Sequence, residues 1–187
     1  FPSKNAIISK NDLILSNNLE KKSFKKLIKH IRRFSNIPLG IQISHAGRKG
    51  SSHIPWKKFN SSLSKKEGGW ATYAPSSIKR DKSWPIPVKL DLKKVYKIRK
   101  DFVNSAQLAK QSGFDLLEVH MAHGYLLHQF FSPISNKRTD EYGGNLIKRS
   151  RFLLEIAKDI RQCWPKEKIL GARVAADDCL KNGITMD

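Results

Sequence analysis

Apolar residues recur at helical spacing between positions 19 and 34, where Phe24, Leu27, Ile28, Ile31 and Phe34 are separated by Lys and Arg. This periodicity predicts an amphipathic helix, and Asn17 followed three residues later by Glu20 suggests its start. Residues 38–44 read as a short strand, broken by Gly47 and Gly50. No sustained period follows until Leu90, a span of ~45 residues against the ~12 to 15 that usually bound a structureless loop, so it should be functional or carry a small excursion of its own. Asp91 is the expected N-cap of a second helix, with Leu92, Val95, Ile98, Phe102, Val103, Ala106 and Ala109 as its buried stripe and Gly113 as its stop. Residues 114–120 form a second predicted strand. After an irregular connection, residues 146–164 form a third helix with Leu153, Ile156, Ala157, Ile160 and Trp164 on one face; Pro165 ends it, and residues 169–175 form a third strand.

Helices and strands that alternate, with short links before each strand and long ones after it, have the rhythm of a parallel α/β protein. Long loops at strand C-termini are where a (β/α) barrel builds its active site, although a doubly wound sheet shares the feature. Strand parity sharpens the picture, because alternate side chains face opposite sides. If His120 points inward, so do Leu116 and Glu118; Gln42 inward brings Gly40 and Ser44, and Arg173 inward brings Gly171 and Ala175. The aliphatic residues Ile41, Ile43, Leu117, Val119, Leu170, Ala172 and Val174 then face the helix layer. A polar inner face is costly unless partnered, and a polar cofactor is one way to supply the partners.

The 187 residues suffice for one domain with a real core. No apolar run approaches the ~18 to 20 residues of a membrane span, and no signal-peptide pattern opens the chain, so a cytoplasmic protein without membrane contact is the expectation. Cys163 and Cys179 have no second cysteine at metal-ligand spacing. Thirty-six Lys and Arg against 16 Asp and Glu leave a formal charge of +20, which raises nucleic acid as a partner. The lysines recur on every predicted helix and loop rather than in one patch, so a solvated surface is the reading and nucleic acid is not expected.

Chemistry concentrates in Glu118-Val-His-Met-Ala-His-Gly-Tyr-Leu126. On spacing alone, His120, His123 and Tyr125 could hold a metal, serve an organic substrate or cofactor, or fill a polar corner. A metal lacks an evident third and fourth ligand, and the chain has no H-E-x-x-H pattern.

Three stretches together resemble the Old Yellow Enzyme family of flavin oxidoreductases: Gln42-Ile-Ser-His-Ala-Gly-Arg-Lys49, the Glu118–His128 stretch, and Ser132-Pro-Ile-Ser-Asn-Lys-Arg-Thr-Asp-Glu-Tyr-Gly-Gly144. The histidine pair is similar to the branch with bacterial xenobiotic reductases and NADPH dehydrogenases. The resemblance implies a (β/α)8 barrel with FMN across the strand C-termini and NAD(P)H as hydride donor. Gln42 and Arg173 match positions that bind the flavin pyrimidine edge, and Lys49 an active-site lysine. His120 and His123 match the pair that binds the oxygen of an α,β-unsaturated carbonyl, and Tyr125 the proton donor to its α-carbon.

A full barrel takes about 250 residues in eight βα units. The chain is therefore expected to be one partial barrel domain over residues 1–187, about strands three to five, inactive alone and homo-oligomeric when full length. Two alternatives stand beside it: a metal-dependent barrel hydrolase and, on charge alone, a basic nucleic-acid-binding module. Arg138 and Asp140 read as loop-fixing partners, and Trp70 and Trp84 as anchors of the long excursion or a roof over the pocket.

Overall fold

The structure, a computed structural model, describes residues 1–185. Helix α1 (Asn18–Ile31) leads to strand β1 (Gly40–Ile43), and a single 3-10 turn follows at Gly47–Lys49. Two short strands, β2 (Tyr73–Ala74) and β3 (Val88–Lys89), precede helix α2 (Leu92–Ser112) and strand β4 (Leu116–Met121). Helices α3 (Leu126–Phe131) and α4 (Leu146–Cys163) and strand β5 (Ile169–Val174) complete the order. Strands β1, β4 and β5 form one parallel sheet in that order, with α2 packed against both α1 and α4.

The caps fall where the sequence places them. Asn17 accepts from the backbone of Leu19 and Glu20 while Glu20 reaches back to Asn17, satisfying donors that a helix start leaves orphaned. Asp91 caps α2 through Lys94, and Gly113 ends it in the left-handed conformation, φ 102°, which costs glycine no Cβ clash. Trp164 is the C-cap of α4 and Pro165 follows it, and the Trp164 indole N–H donates to the Ile169 carbonyl at 3.1 Å.

One contiguous core joins Ile43, Leu117 and Val119 of the sheet to Val95, Ile98, Phe102 and Ala106 of α2, Leu126, Leu127 and Phe130 of α3, and Phe152, Ile156 and Ile160 of α4. These sheet residues are the aliphatic face that parity assigns to the helix layer. On β5 the assignment holds only for Leu170, because Ala172 and Val174 lie exposed on a strand that has β4 alone beside it.

Two elements depart from expectation and a third follows it. Helix α1 ends at Ile31, and of its five-residue stripe only Ile28 is buried, with Leu27 52% and Phe34 75% exposed. The helix stands at the end of the layer and packs chiefly on α2, so its apolar face is wider than its contact. The connection after β4 contains α3, whose six residues span fewer than two turns and so display no period. The long aperiodic segment does carry an excursion, in which β2 and β3 pair in parallel over two residues each. Arg138, fully buried, ties it down: its guanidinium donates to the carbonyls of Pro75 and Leu90 and pairs with Asp140. Trp84 is buried there with Arg80 stacked 4.5 Å from its ring, which makes it an anchor.

Leu117→Ala, at the centre of the sheet's buried face, should lower unfolding free energy by about 2–5 kcal/mol in denaturant titrations. Ile147→Ala, on the exposed start of α4, should change it by less than about 0.5 kcal/mol.

Candidate active site

Register decides which polar side chains meet. Gln42 lies opposite Glu118, Glu118 opposite Gly171, and His120 opposite Arg173. With a period of two along each strand, Gln42, Glu118, His120 and Arg173 share the face turned away from the helices. Glu118, on the middle strand, is held from both sides. The Gln42 amide donates to Oε1, and Arg173 donates through Nε to Oε1 at 3.0 Å and through Nη2 to Oε2 at 3.5 Å. The hydrogen bond from Gln42, and next the Arg173 guanidinium, hold the Glu118 carboxyl below its usual range. Arg173 keeps its Nη1 unengaged among the described residues, with its side chain 51% exposed.

Beyond the end of β4 the chain turns sharply. His123 and Gly124 both take positive φ, 58° and 69°, before Tyr125 opens α3. The turn folds His123 and Tyr125 back over His120, with ring centroids 5.0 Å and 5.1 Å from it in edge-to-face geometry. Burial, and then the neighbouring His123, push the pKa of His120 down to about 4. Its Nδ1 accepts the Ala122 N–H at 3.3 Å, so the neutral ring carries its proton on Nε2 as a donor. Burial pushes the Tyr125 phenol up, and it is protonated at neutral pH.

Side chains from other elements fix this turn. Lys49 donates to the His123 carbonyl, and its ammonium stands 5.2 Å from the Tyr125 ring centroid. Burial, reinforced by Arg80 and Arg48, pushes Lys49 down to about 8. Gln129 donates to the Gly124 carbonyl at 2.7 Å, and its amide packs so closely on Gly47, φ 59°, that a Cβ there would clash at 2.5 Å. The Gly124 N–H donates to His128 Nδ1 at 2.7 Å, which places the His128 proton on Nε2, 2.8 Å from Asp178 Oδ1. Asp178 Oδ2 accepts from Ser132 Oγ and the Ile184 N–H. His45, 2% exposed, accepts the Gly47 N–H at Nδ1 and takes the Leu126 N–H on its carbonyl.

All six residues singled out in the sequence thus fall into two joined groups. Gln42 and Arg173 flank Glu118 on the sheet; His120, His123, Tyr125 and Lys49 gather at the end of β4. Sequence reasoning missed the roles of Glu118, His45 and the His128–Asp178 pair. Glu118 is discoverable from parity; the other two rest on turns with no local pattern. Among the described residues no three His, Cys, Asp or Glu side chains assemble into a metal-holding group, and no helix is long and apolar enough to cross a membrane. A groove of about 840 Å³ between α2 and α4, lined by Tyr96, Arg99 and Asp159, lies on the helix surface and shares no residue with this site.

The residues form a parallel α/β layer with a polar sheet face and a histidine–tyrosine cluster at the strand ends, the architecture of an α/β protein. Across residues 1–187 the chain matches the family described as NADH:flavin oxidoreductase / NADH oxidase. It is 37% identical to an NADPH dehydrogenase of Bacillus subtilis (strain 168), over 95% of this chain and 47% of that protein. It is 45% identical to an NADH:flavin oxidoreductase of Gibberella zeae over 75% of this chain and 35% of the relative. Among solved structures it is similar to Old Yellow Enzyme from Pichia sp. AKU4542, with TM-score 0.78, 25% identity and coverage of 100% of this chain and 47% of that one. Morphinone reductase shares the fold at TM-score 0.79 and 24% identity, over 94% of this chain and 47% of its own. The chain belongs to the NADH:flavin oxidoreductase / NADH oxidase family, that of Old Yellow Enzyme. It spans about half the length of the NADPH dehydrogenases it matches, or slightly less.

Burial also pushes the pKa of His45 to about 3. A histidine depressed in the folded state binds its proton more readily when unfolded, so stability is full above about pH 6.5 and declines as pH falls toward the folded value. Denaturant unfolding at pH 5 should show a loss on the order of 1–2 kcal/mol against pH 7.5. His45→Gln should remove the His45 share of that dependence and leave the share of His120, which burial depresses in the same direction.

Proposed function

We propose that this chain supplies about strands three to five of a (β/α)8 barrel, in an FMN-dependent oxidoreductase that takes hydride from NAD(P)H and reduces the activated C=C bond of α,β-unsaturated carbonyl compounds. The observation that carries the reading is the Gln42–Glu118–Arg173 row in register with His120, leading directly to His123 and Tyr125. The donor set fits the cofactor. Gln42 offers an amide with both donor and acceptor capacity, and Arg173 offers a fixed cation, which are the groups a pyrimidine edge and a developing negative charge require.

Bound FMN supplies the hydride transfer, from the nicotinamide to the alkene β-carbon. Gln42 and Arg173 would hold its pyrimidine edge, and Lys49 fixes the turn that carries His123 and Tyr125. The His120 Nε2–H, with His123 beside it, donates to the substrate carbonyl oxygen. A neutral donor aimed at that oxygen stabilises the enolate charge that appears as hydride arrives, so it acts chiefly in the transition state. The Tyr125 phenol then gives its proton to the α-carbon. Hydride and proton together saturate the C=C bond, and the nicotinamide is the reductant consumed.

The enzyme containing this chain should purify yellow, bleach with NADPH and recover its colour with an enone. Tyr125→Phe should slow recovery by about 10²–10⁴ while leaving bleaching within a few-fold in stopped-flow traces. Equal losses in both half-reactions would remove the role given to Tyr125, and a colourless protein inactivated by a chelator would sink the whole reading.

A further inference from the structure

Glu118 is the one side chain on this sheet that touches both residues assigned to the flavin. We infer that it is a positioning residue, which sets the orientation of Gln42 and Arg173 and moderates the positive charge that Arg173 presents to the cofactor; this rests on the FMN reading above.

The orientation follows from hydrogen-bond chemistry. A carboxylate only accepts, so the Gln42 amide must turn its Nε2 toward Glu118 and its Oε1 away. A glutamine without such a partner presents either end. Turned this way, Gln42 offers an acceptor and its second N–H toward the open face, complementary to the alternating N–H and C=O of a pyrimidine edge. Arg173 meets the same carboxylate side-on through Nε and Nη2, which commits the guanidinium plane and leaves Nη1 directed elsewhere. The central strand makes this possible, because only a residue on β4 reaches both neighbours.

The charge argument is separate. Arg173 stabilises added negative charge on a bound ring, while the Glu118 carboxylate, 3.0 Å from the Arg173 Nε, opposes it. Glu118 is ionised at neutral pH, since both partners favour its charged form. A geometric role alone leaves the redox balance of the cofactor unmoved by an isosteric neutral side chain; the inferred role does not.

The test uses the FMN-loaded enzyme containing this chain and reads affinity and potential rather than turnover. Glu118→Gln keeps size and an acceptor but removes the charge, so FMN should still bind within several-fold. Its preference for reduced over oxidised FMN should rise roughly tenfold, a positive shift of about 30 mV for a two-electron couple. Glu118→Ala also frees both partners and should weaken oxidised FMN binding by more than about tenfold in flavin-fluorescence titrations, a loss of about 1.4 kcal/mol. An unchanged potential in Glu118→Gln overturns the inference, and because that variant is isosteric the outcome does not depend on Glu118→Ala folding. A wild-type enzyme that binds no FMN overturns instead the functional reading beneath it.

Discussion

Asp115 grips Leu39 twice, and the whole site depends on that grip. Its backbone N–H donates to the Leu39 carbonyl at 2.8 Å while its carboxylate accepts the Leu39 N–H at 2.8 Å, with Arg32 pairing to the same oxygen. The hydrogen bond from the Leu39 N–H, and then Arg32, hold this carboxyl below its usual range. The contact sits one residue before the Gly40–Leu116 pair and so sets where β1 begins against β4. A slip of one residue would turn every side chain of β1 to the other face. Gln42 would then leave Glu118 and enter the helix layer, and Ile43 would leave the core for the polar face. One junction between α1, β1 and β4 thereby fixes both the packing of the sheet and the chemistry on its far side.

Register of this kind explains what the sequence revealed. Period two needs only local reading, so the aliphatic and polar faces of β1 and β4 were legible before any pairing was known. Helix boundaries were legible because Asn17, Asp91 and Gly113 act on backbone groups a few residues away. What the pattern does not contain is the covering partner. The stripe on α1 predicts an apolar face, but burial needs a second surface, and α1 meets chiefly α2. The same limit hid His128, whose partner Asp178 lies 50 residues on and becomes its neighbour only when β5 pairs with β4.

Charge divides in the same way. The surplus of lysine lies mostly in solvent, whereas much of the acidic complement works at junctions: Asp115 at β1–β4, Asp140 at the excursion, Asp159 and Glu155 on Arg99 between α2 and α4, and Asp178 under the site turn. Near the site burial disfavours the charged forms of Arg48, Lys49 and Arg80, and Arg80 adds to the effect on Arg48 and Lys49. Such a concentration of partly buried positive charge is a local field that favours an anionic ligand, which a diffuse lysine surface is not.

Strain at the end of β4 completes the design. Positive φ at His123 is unfavourable for a side chain with a Cβ, and such conformations persist only where the surroundings over-determine them. Here the backbone groups next to the strain are held: the His123 carbonyl by Lys49, the Gly124 carbonyl by Gln129, and the Gly124 N–H by His128, itself locked by Asp178. Each of these hydrogen bonds prevents the turn from relaxing into an extended conformation that would carry His123 and Tyr125 away from His120. The three rings are therefore placed by the backbone rather than by one another, which under the proposed function would leave little ordering to oppose substrate binding.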